Sequence, residues 1–375
     1  MKVNPPISIL SKVMGLGMLW GKPLVDSAIA HSTQPFQQHN IILPRLNEKY
    51  YSWTQYSIFF PDLDEPFRYL NIVILLGTPG ALAFDSDNEE HQSPREQASV
   101  FSSTANIAQP LLKAYVIPEE THIQNDGHLL QFGKEITISG ALPHIEVYGE
   151  YEELKFHFFL HISDQVSWYI KTPVYDHFSL LSQYHGRIEY QKQCIEQKGL
   201  CSYEYARAVG IHSLIQTRIS DQYKIPIDFF THHIINIDDQ TQIVLIQANL
   251  INTPAMICMY VRRLHQDNEV YQHVNFKVIA HHLDDYSSPK GEKMRLPKNF
   301  SWQAFDQNGN EFFEIFATAD APFHFGRGRG YVNSFQYNGH FNQQPILGRG
   351  YMEYINVEDQ KSFIDDPNEL VETEA

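Results

Sequence analysis

Two stretches of the chain echo each other: Tyr184-His185-Gly186 followed by Gly199-Leu200-Cys201-Ser202-Tyr203-Glu204-Tyr205, and Tyr337-Asn338-Gly339 followed by Gly348-Arg349-Gly350-Tyr351-Met352-Glu353-Tyr354. Each reads Y-x-G, a spacer, then G-x-x-x-x-E-Y, and the copies lie about 150 residues apart. Repetition at that distance argues for duplication of a domain-sized unit, because solenoid repeats are only about 20–50 residues long. Each unit must then bury a core of its own. The fold question narrows to which single domain fits about 150 residues.

A chain of 375 residues suits two such domains. Hydrophobic residues make up 43 %, with 24 Phe and 21 Tyr, so there is ample material for burial and a bias toward strands. The net charge of −16 would repel a phosphate backbone, which excludes nucleic acid as a partner. Cys194, Cys201 and Cys258 form no C-x-x-C pair, so neither a zinc nor a redox site is expected, and a reducing, cytoplasmic setting fits. Near the N-terminus, Ile7 to Trp20 is apolar and Ala28-Ile29-Ala30 resembles a cleavage site. Lys12 interrupts that run and Lys22, Pro23 and Asp26 follow it, which argues against a signal peptide. A short amphipathic helix is expected instead, packed on the body of the protein or touching a membrane surface through residues 7–21.

Beyond residue 40 the pattern alternates. In Lys155-Phe156-His157-Phe158-Phe159-Leu160-His161, Phe156, Phe158 and Leu160 share one face, which predicts a half-buried strand. Similar runs recur between turn signals such as Asn125-Asp126-Gly127 and Asp306-Gln307-Asn308-Gly309. Closely spaced strands without alternating helices predict an all-β protein of antiparallel barrels or sandwiches. The segment 85–125 reads as a long acidic loop with one short helix. The expected division is an N-terminal helical or extended segment at 1–40, a first unit at 41–215, a second at 216–360 and a solvated acidic tail at 361–375.

In the second half, Asp228-Phe229-Phe230 and Asn236-Ile237-Asp238-Asp239-Gln240 lead into the apolar run 243–246, and Tyr286-Ser287-Ser288-Pro289-Lys290-Gly291 precedes Leu296-Pro297 and Trp302. This order resembles the two-domain lipocalin-like proteins typified by carotenoid 1,2-hydratase (hydroxyneurosporene synthase) and the AttH group, in particular a bacterial branch without an assigned function. With the glycine motif of the first half, the resemblance spans roughly residues 45–357. It implies two successive lipocalin-like (calycin) antiparallel β-barrels, each able to enclose one small apolar ligand. The hydratase-like members tend to carry an acidic residue followed by His where this chain has Glu204-Tyr205, and aromatic residues at the positions of Tyr286 and Leu296. The missing His removes a proton shuttle that hydratase chemistry would use.

Hydration of an isolated double bond needs a proton donor beside an apolar cavity, usually a carboxylic acid whose pKa is raised by desolvation. Glu204 and Glu353, flanked by aromatics in the repeat, are the candidates, unless each points out of its barrel or pairs with an arginine such as Arg207. His185 is a third candidate for moving protons. Tyr184, Tyr205, Asp176, His177, His232 and Tyr354 are candidates for lining the ligand site; His232 and His233 must face opposite sides of a strand and so cannot act as a pair. Asp85, Asp87, Glu89 and Glu96 imitate calcium-loop spacing but lack its glycine, and no His/Glu motif has metal-site spacing, so no metal and no other cofactor is expected. Gly326-Arg327-Gly328-Arg329-Gly330 and Leu76 to Gly80 read as hairpin turns that precede no helix, with the two arginines free to hold an anionic group at a barrel mouth. No G-x-S-x-G elbow is present.

The leading expectation is binding of a hydrophobic small molecule, a lipid or isoprenoid, in an aromatic-lined cavity. The alternatives are a hydratase or isomerase on the same scaffold and a structural protein with filled barrels. Oligomeric state is left open.

Overall fold

The computed structural model describes residues 7–21, 29–38, 41–85, 93–106, 111–283 and 286–357. The segment 361–375, expected to be a solvated tail, lies outside them. Helix α1 (Ile9–Trp20) and a single turn at Ala30–Thr33 precede the strands. The first sheet comprises β1 (Tyr51–Phe60), β2 (Leu70–Gly77), β3 (Gln97–Thr104), β4 (Leu111–Val116), β5 (Thr121–Ile123), β6 (Leu129–Phe132), β7 (Ile136–Ala141), β8 (His144–Glu150), β9 (Leu154–Lys171), β10 (Tyr175–Tyr190) and β11 (Gln193–Val209). After short turns at Ile211–Ser213 and Asp221–Tyr223 come β12 (Ile227–Asn236), β13 (Thr241–Leu250), β14 (Thr253–Arg263), β15 (Glu269–Tyr271) and β16 (Val274–His281). A small hairpin, β17 (Tyr286–Ser287) with β18 (Lys293–Met294), leads to β19 (Pro297–Phe305), β20 (Glu311–Ala319), β21 (His324–Arg327), β22 (Gly330–Phe341) and β23 (Gln344–Asn356).

Both large sheets are antiparallel and curl until their first strand meets their last. β1 pairs with β2 and β11, and β12 pairs with β13 and β23, so each sheet forms a nearly closed barrel. Curling of this kind hides strand edges that would otherwise invite aggregation. The strands β3, β4 and β5 correct the expectation of a loop with a helix at 85–125: Ala98, Val100 and Tyr115 point into the first core, a pattern masked in sequence by the polar residues around them. Asp85 is not a solvated acid either. Its carboxylate accepts from the amides of Gly80 and Ala81 and pairs with the Lys224 ammonium at 3.2 Å. Asp87 and Glu89 lie outside the described residues.

The sequence repeat is a repeat of structure. In the β10–β11 hairpin Tyr184 stands opposite Gly199, and in the β22–β23 hairpin Tyr337 stands opposite Gly348. The glycine makes room for the ring: a Cβ on Gly348 would sit 2.9 Å from the Tyr337 hydroxyl. Both hairpins close on two residues with positive φ, Gln191-Lys192 and Asn342-Gln343, the geometry of a type I′ turn. The unequal spacer is only a longer hairpin arm in the first copy.

Along β1 every residue after Tyr51 is buried, because both faces are covered. Tyr56, Ile58 and Phe60 enter the first core, whereas Phe59 packs with the second barrel's residues, as do Tyr69, Val73, Phe101 and Tyr169. The barrels therefore meet wall to wall, over β1 and the stretches of β9, β10 and β11 in which outward as well as inward residues are buried.

Candidate functional site: a buried acid–imidazole cluster between the barrels

Alternation along the last strand of each barrel sends Tyr205 and Tyr354 inward and their neighbours Glu204 and Glu353 outward, into the interface. The two repeat copies thus aim equivalent glutamates at each other. His232 of β12 stands between them, its Nε2 3.6 Å from Glu204 Oε1 and its Nδ1 3.9 Å from Glu353 Oε2. The Tyr169 hydroxyl of β9 donates to Glu204 Oε1 at 2.9 Å and lies 3.2 Å from His232 Nε2. His177 of β10 turns its Nε2 toward Glu204 Oε2 at 3.8 Å, beyond hydrogen-bond reach, and among the described residues that buried nitrogen has no hydrogen-bond partner; its Nδ1 is 3.3 Å from the Tyr175 hydroxyl.

Two arginines balance the two carboxylates. Arg327 donates through Nε to both oxygens of Glu353, at 3.1 and 3.0 Å, and the Tyr351 hydroxyl adds a bond of 3.1 Å. Arg262 crosses from β14 to the first barrel, donating to Ser179 Oγ at 2.9 Å and Ser202 Oγ at 2.6 Å, and also to Gln242. Burial alone would raise the pKa of Glu204, but His232, then His177 and the Tyr169 hydroxyl, hold it below the usual carboxylate range. Burial pulls His232 below its ordinary value, against the attraction of Glu204 and Glu353. Glu204 is thus an anion and His232 a neutral imidazole near neutral pH.

Beside Arg327, a niche of about 10 Å³ is bounded by Leu75, Phe84, Phe101 and Arg327 itself. That is about the room one water needs. Trp53, Leu75 and Tyr175 pack together as an apolar patch over the edge of the cluster, where Tyr175 covers His177.

Of the residues singled out in sequence, Glu204, Glu353, His177 and His232 come together. Asp176 does not join them: its Oδ2 accepts from Arg207 Nε at 2.8 Å and pairs with Nη2 at 2.7 Å, so Arg207 is not the partner of Glu204. Tyr184 and Tyr205 are core residues of the first barrel, Tyr184 against Phe60 at 4.7 Å and Tyr205 bonded to the Leu43 carbonyl at 2.7 Å. Tyr354 fills the second barrel against Phe229. His185 lies six residues along β10 from Ser179, which pairs with Glu204, roughly 20 Å away, exposed and stacked on Phe159 at 5.4 Å. It borders an open groove of about 1020 Å³ whose wall includes Phe159, Leu160, Tyr184 and Lys198, on the outside of the first barrel. Arg327 and Arg329, expected at a barrel mouth, instead turn inward to Glu353 and Asp221. Tyr169 and Arg262 carried no signal in sequence: each is one of many aromatics or cations in a strand, and only the docking of the barrels gives it partners.

A family model described as "Family of unknown function (DUF6670)" matches residues 73–366. Comparison with curated proteins finds no match. Among solved structures, a protein assigned as AttH from Nitrosomonas europaea is similar over 86 % of this chain and 97 % of its own, with 14 % identity and a TM-score of 0.57. Kievitone hydratase from Nectria haematococca is similar over 87 % of this chain and 94 % of its own, with 11 % identity and a TM-score of 0.51. At these identities the likeness concerns the fold alone: two lipocalin-like barrels, as in those two structures.

Proposed function

Because the chain belongs to DUF6670, a family of unknown function, its role has to be argued from its site, and we propose that the cluster between the barrels is the centre of an acid–base enzyme of the isomerase or hydratase kind. The observation that carries this reading is the Tyr169 hydroxyl, within hydrogen-bond reach of both Glu204 and His232. One proton can pass among phenol, carboxylate and imidazole without any side chain moving. His177, whose Nε2 is buried without a hydrogen-bond partner among the described residues and faces Glu204, is the group placed to exchange that proton with a substrate that displaces its cover.

The state of Glu204 narrows the chemistry. An ionised carboxylate is no donor to an isolated double bond, which needs a carboxyl kept protonated by burial. It does suit abstraction and return of a proton next to a carbonyl, or addition of water to a double bond conjugated with one. A substrate of that class would enter over Trp53, Leu75 and Tyr175, with the niche beside Arg327 taking the water. The test is incubation of the full chain with a panel of apolar enones in deuterated and oxygen-labelled water. His177→Gln and Glu204→Gln are expected to lower label uptake at least about a hundredfold with ligand affinity little changed. Equal label uptake by both variants and the parent would overturn the assignment.

The groove beside His185 supports a second reading, binding of an apolar small molecule without turnover. At about 1020 Å³ it matches the size of a ligand site, and the exposed Phe159 forms part of its wall. On that reading Phe159→Ser weakens uptake of a fluorescent fatty acid while Glu204→Gln leaves it unchanged; the reverse pattern removes the groove from consideration.

A further inference from the structure

Helix α1 is attached to the protein by its small residues. The Ser11 hydroxyl donates to the Lys224 carbonyl at 2.7 Å, and the Ser8 amide to the Gln222 carbonyl at 2.9 Å. Gly15 lies directly against Pro226 and Ile251, where an added Cβ would come within 2.8 Å of both side chains. The opposite face carries Ile9, Val13, Leu16 and Trp20, spaced i, i+4, i+7 and i+11 so that they form one stripe. Their exposures are 83 %, 59 %, 52 % and 87 %. A helix of a globular protein normally turns such a stripe to the core. Here it faces away.

We propose that this stripe seats the protein on a lipid surface, the helix lying in the headgroup boundary. In a chain whose net charge is −16, residues 1–25 hold three lysines and no acidic residue, and Lys12 is exposed on the helix itself, so the sequence around the stripe is locally positive and suits lipid phosphates. Trp20, an apolar ring with a polar N–H, stands at the end of the helix, as tryptophans do at membrane boundaries. The helix has 12 residues, about 18 Å, so it lies on a bilayer and does not cross one. Among the described residues no helix is long and apolar enough to span.

Other occupants fit less well. The chain's own segment 358–375 has seven acidic residues against one lysine, a composition suited to water rather than to four apolar side chains. A second copy needs about 1,000 Å² of buried surface for a stable contact, more than one stripe on a three-turn helix supplies. Partition into lipid needs only side-chain depth, about 5–10 Å.

Trp20 reports on the question directly, because Trp53, Trp168 and Trp302 are all buried. The full chain is mixed with phosphatidylcholine vesicles, with and without phosphatidylglycerol, some carrying brominated acyl chains. The expected result is a blue shift of tryptophan emission and quenching by the bromolipid. The Val13→Ser/Leu16→Ser variant should partition about a hundredfold less while its thermal unfolding stays that of the parent, both side chains being already exposed. Absence of quenching from both kinds of vesicle would overturn the proposal. So would a concentration-dependent dimer that the double variant abolishes, since the stripe would then join two copies.

Discussion

His232 and His233 are neighbours that serve opposite faces of β12, as their adjacency in a strand requires. His232 enters the interface, whereas His233 enters the second barrel, where the Trp302 indole N–H donates to its Nδ1 at 3.0 Å. Its Nε2 must then carry the proton, donated to Thr231 Oγ at 2.7 Å, and that hydroxyl passes its own proton to the Glu353 carbonyl at 2.8 Å. Burial, and then the nearby His232, hold the His233 pKa well below the ordinary histidine value. Because the unfolded chain takes up this proton more readily, its contribution to stability is complete above about pH 6.5 and is lost as pH falls toward the folded-state pKa. Acidification below 6.5 should therefore cost up to about 1.4 kcal/mol per pH unit for this imidazole. Urea unfolding at pH 7.5, 6.5 and 5.5 checks the slope, which His233→Gln should flatten by that amount. An identical slope in the variant would mean that His233 carries no part of it.

At the scale of elements, the repeat was legible because packing constrains it. A tyrosine opposite a glycine in a hairpin needs both residue types, and the pair survives in both copies although the arms differ in length. Strands β9 and β8 were legible for a related reason: each has one wetted face, so polar and apolar residues alternate. Strands β3 and β4 were not legible, since Ser99, Ser102, Ser103 and Thr104 sit in or beside buried walls and read as loop. The repeat glycines differ in what surrounds them, and that difference is testable. A Cβ on Gly339 would lie 1.9 Å from the Glu314 carbonyl oxygen, a backbone atom that cannot step aside, whereas one on Gly348 meets only the end of the Tyr337 ring. Gly339→Ala should cost about 3 kcal/mol and Gly348→Ala about 1 kcal/mol. Chemical denaturation compares them, and equal costs would mean that β20 shifts freely against β22.

At the scale of the whole molecule, the repeat located Glu204 and Glu353 but not their meeting, because nothing local records which outward faces of two barrels will dock. The interface they share is mixed: Phe59, Tyr69 and Tyr351 supply stacked apolar area, while Arg262, Arg327 and the two glutamates are buried charges. Buried ion pairs seldom add net stability, yet removing one partner leaves the other uncompensated. Arg327→Ala should therefore destabilise by about 3–5 kcal/mol, through an unpaired Glu353. Arg327→Met combined with Glu353→Leu should recover most of that loss, because it deletes both charges and keeps the volume. The damage belongs to the junction between the barrels, each of which keeps its own core. Calorimetry of Arg327→Ala should accordingly resolve two transitions where the parent protein shows one, and the double variant should restore a single transition. A lone shifted transition in Arg327→Ala would instead mean that the loss at the junction is felt by both barrels together, which unfold as one unit whatever happens between them.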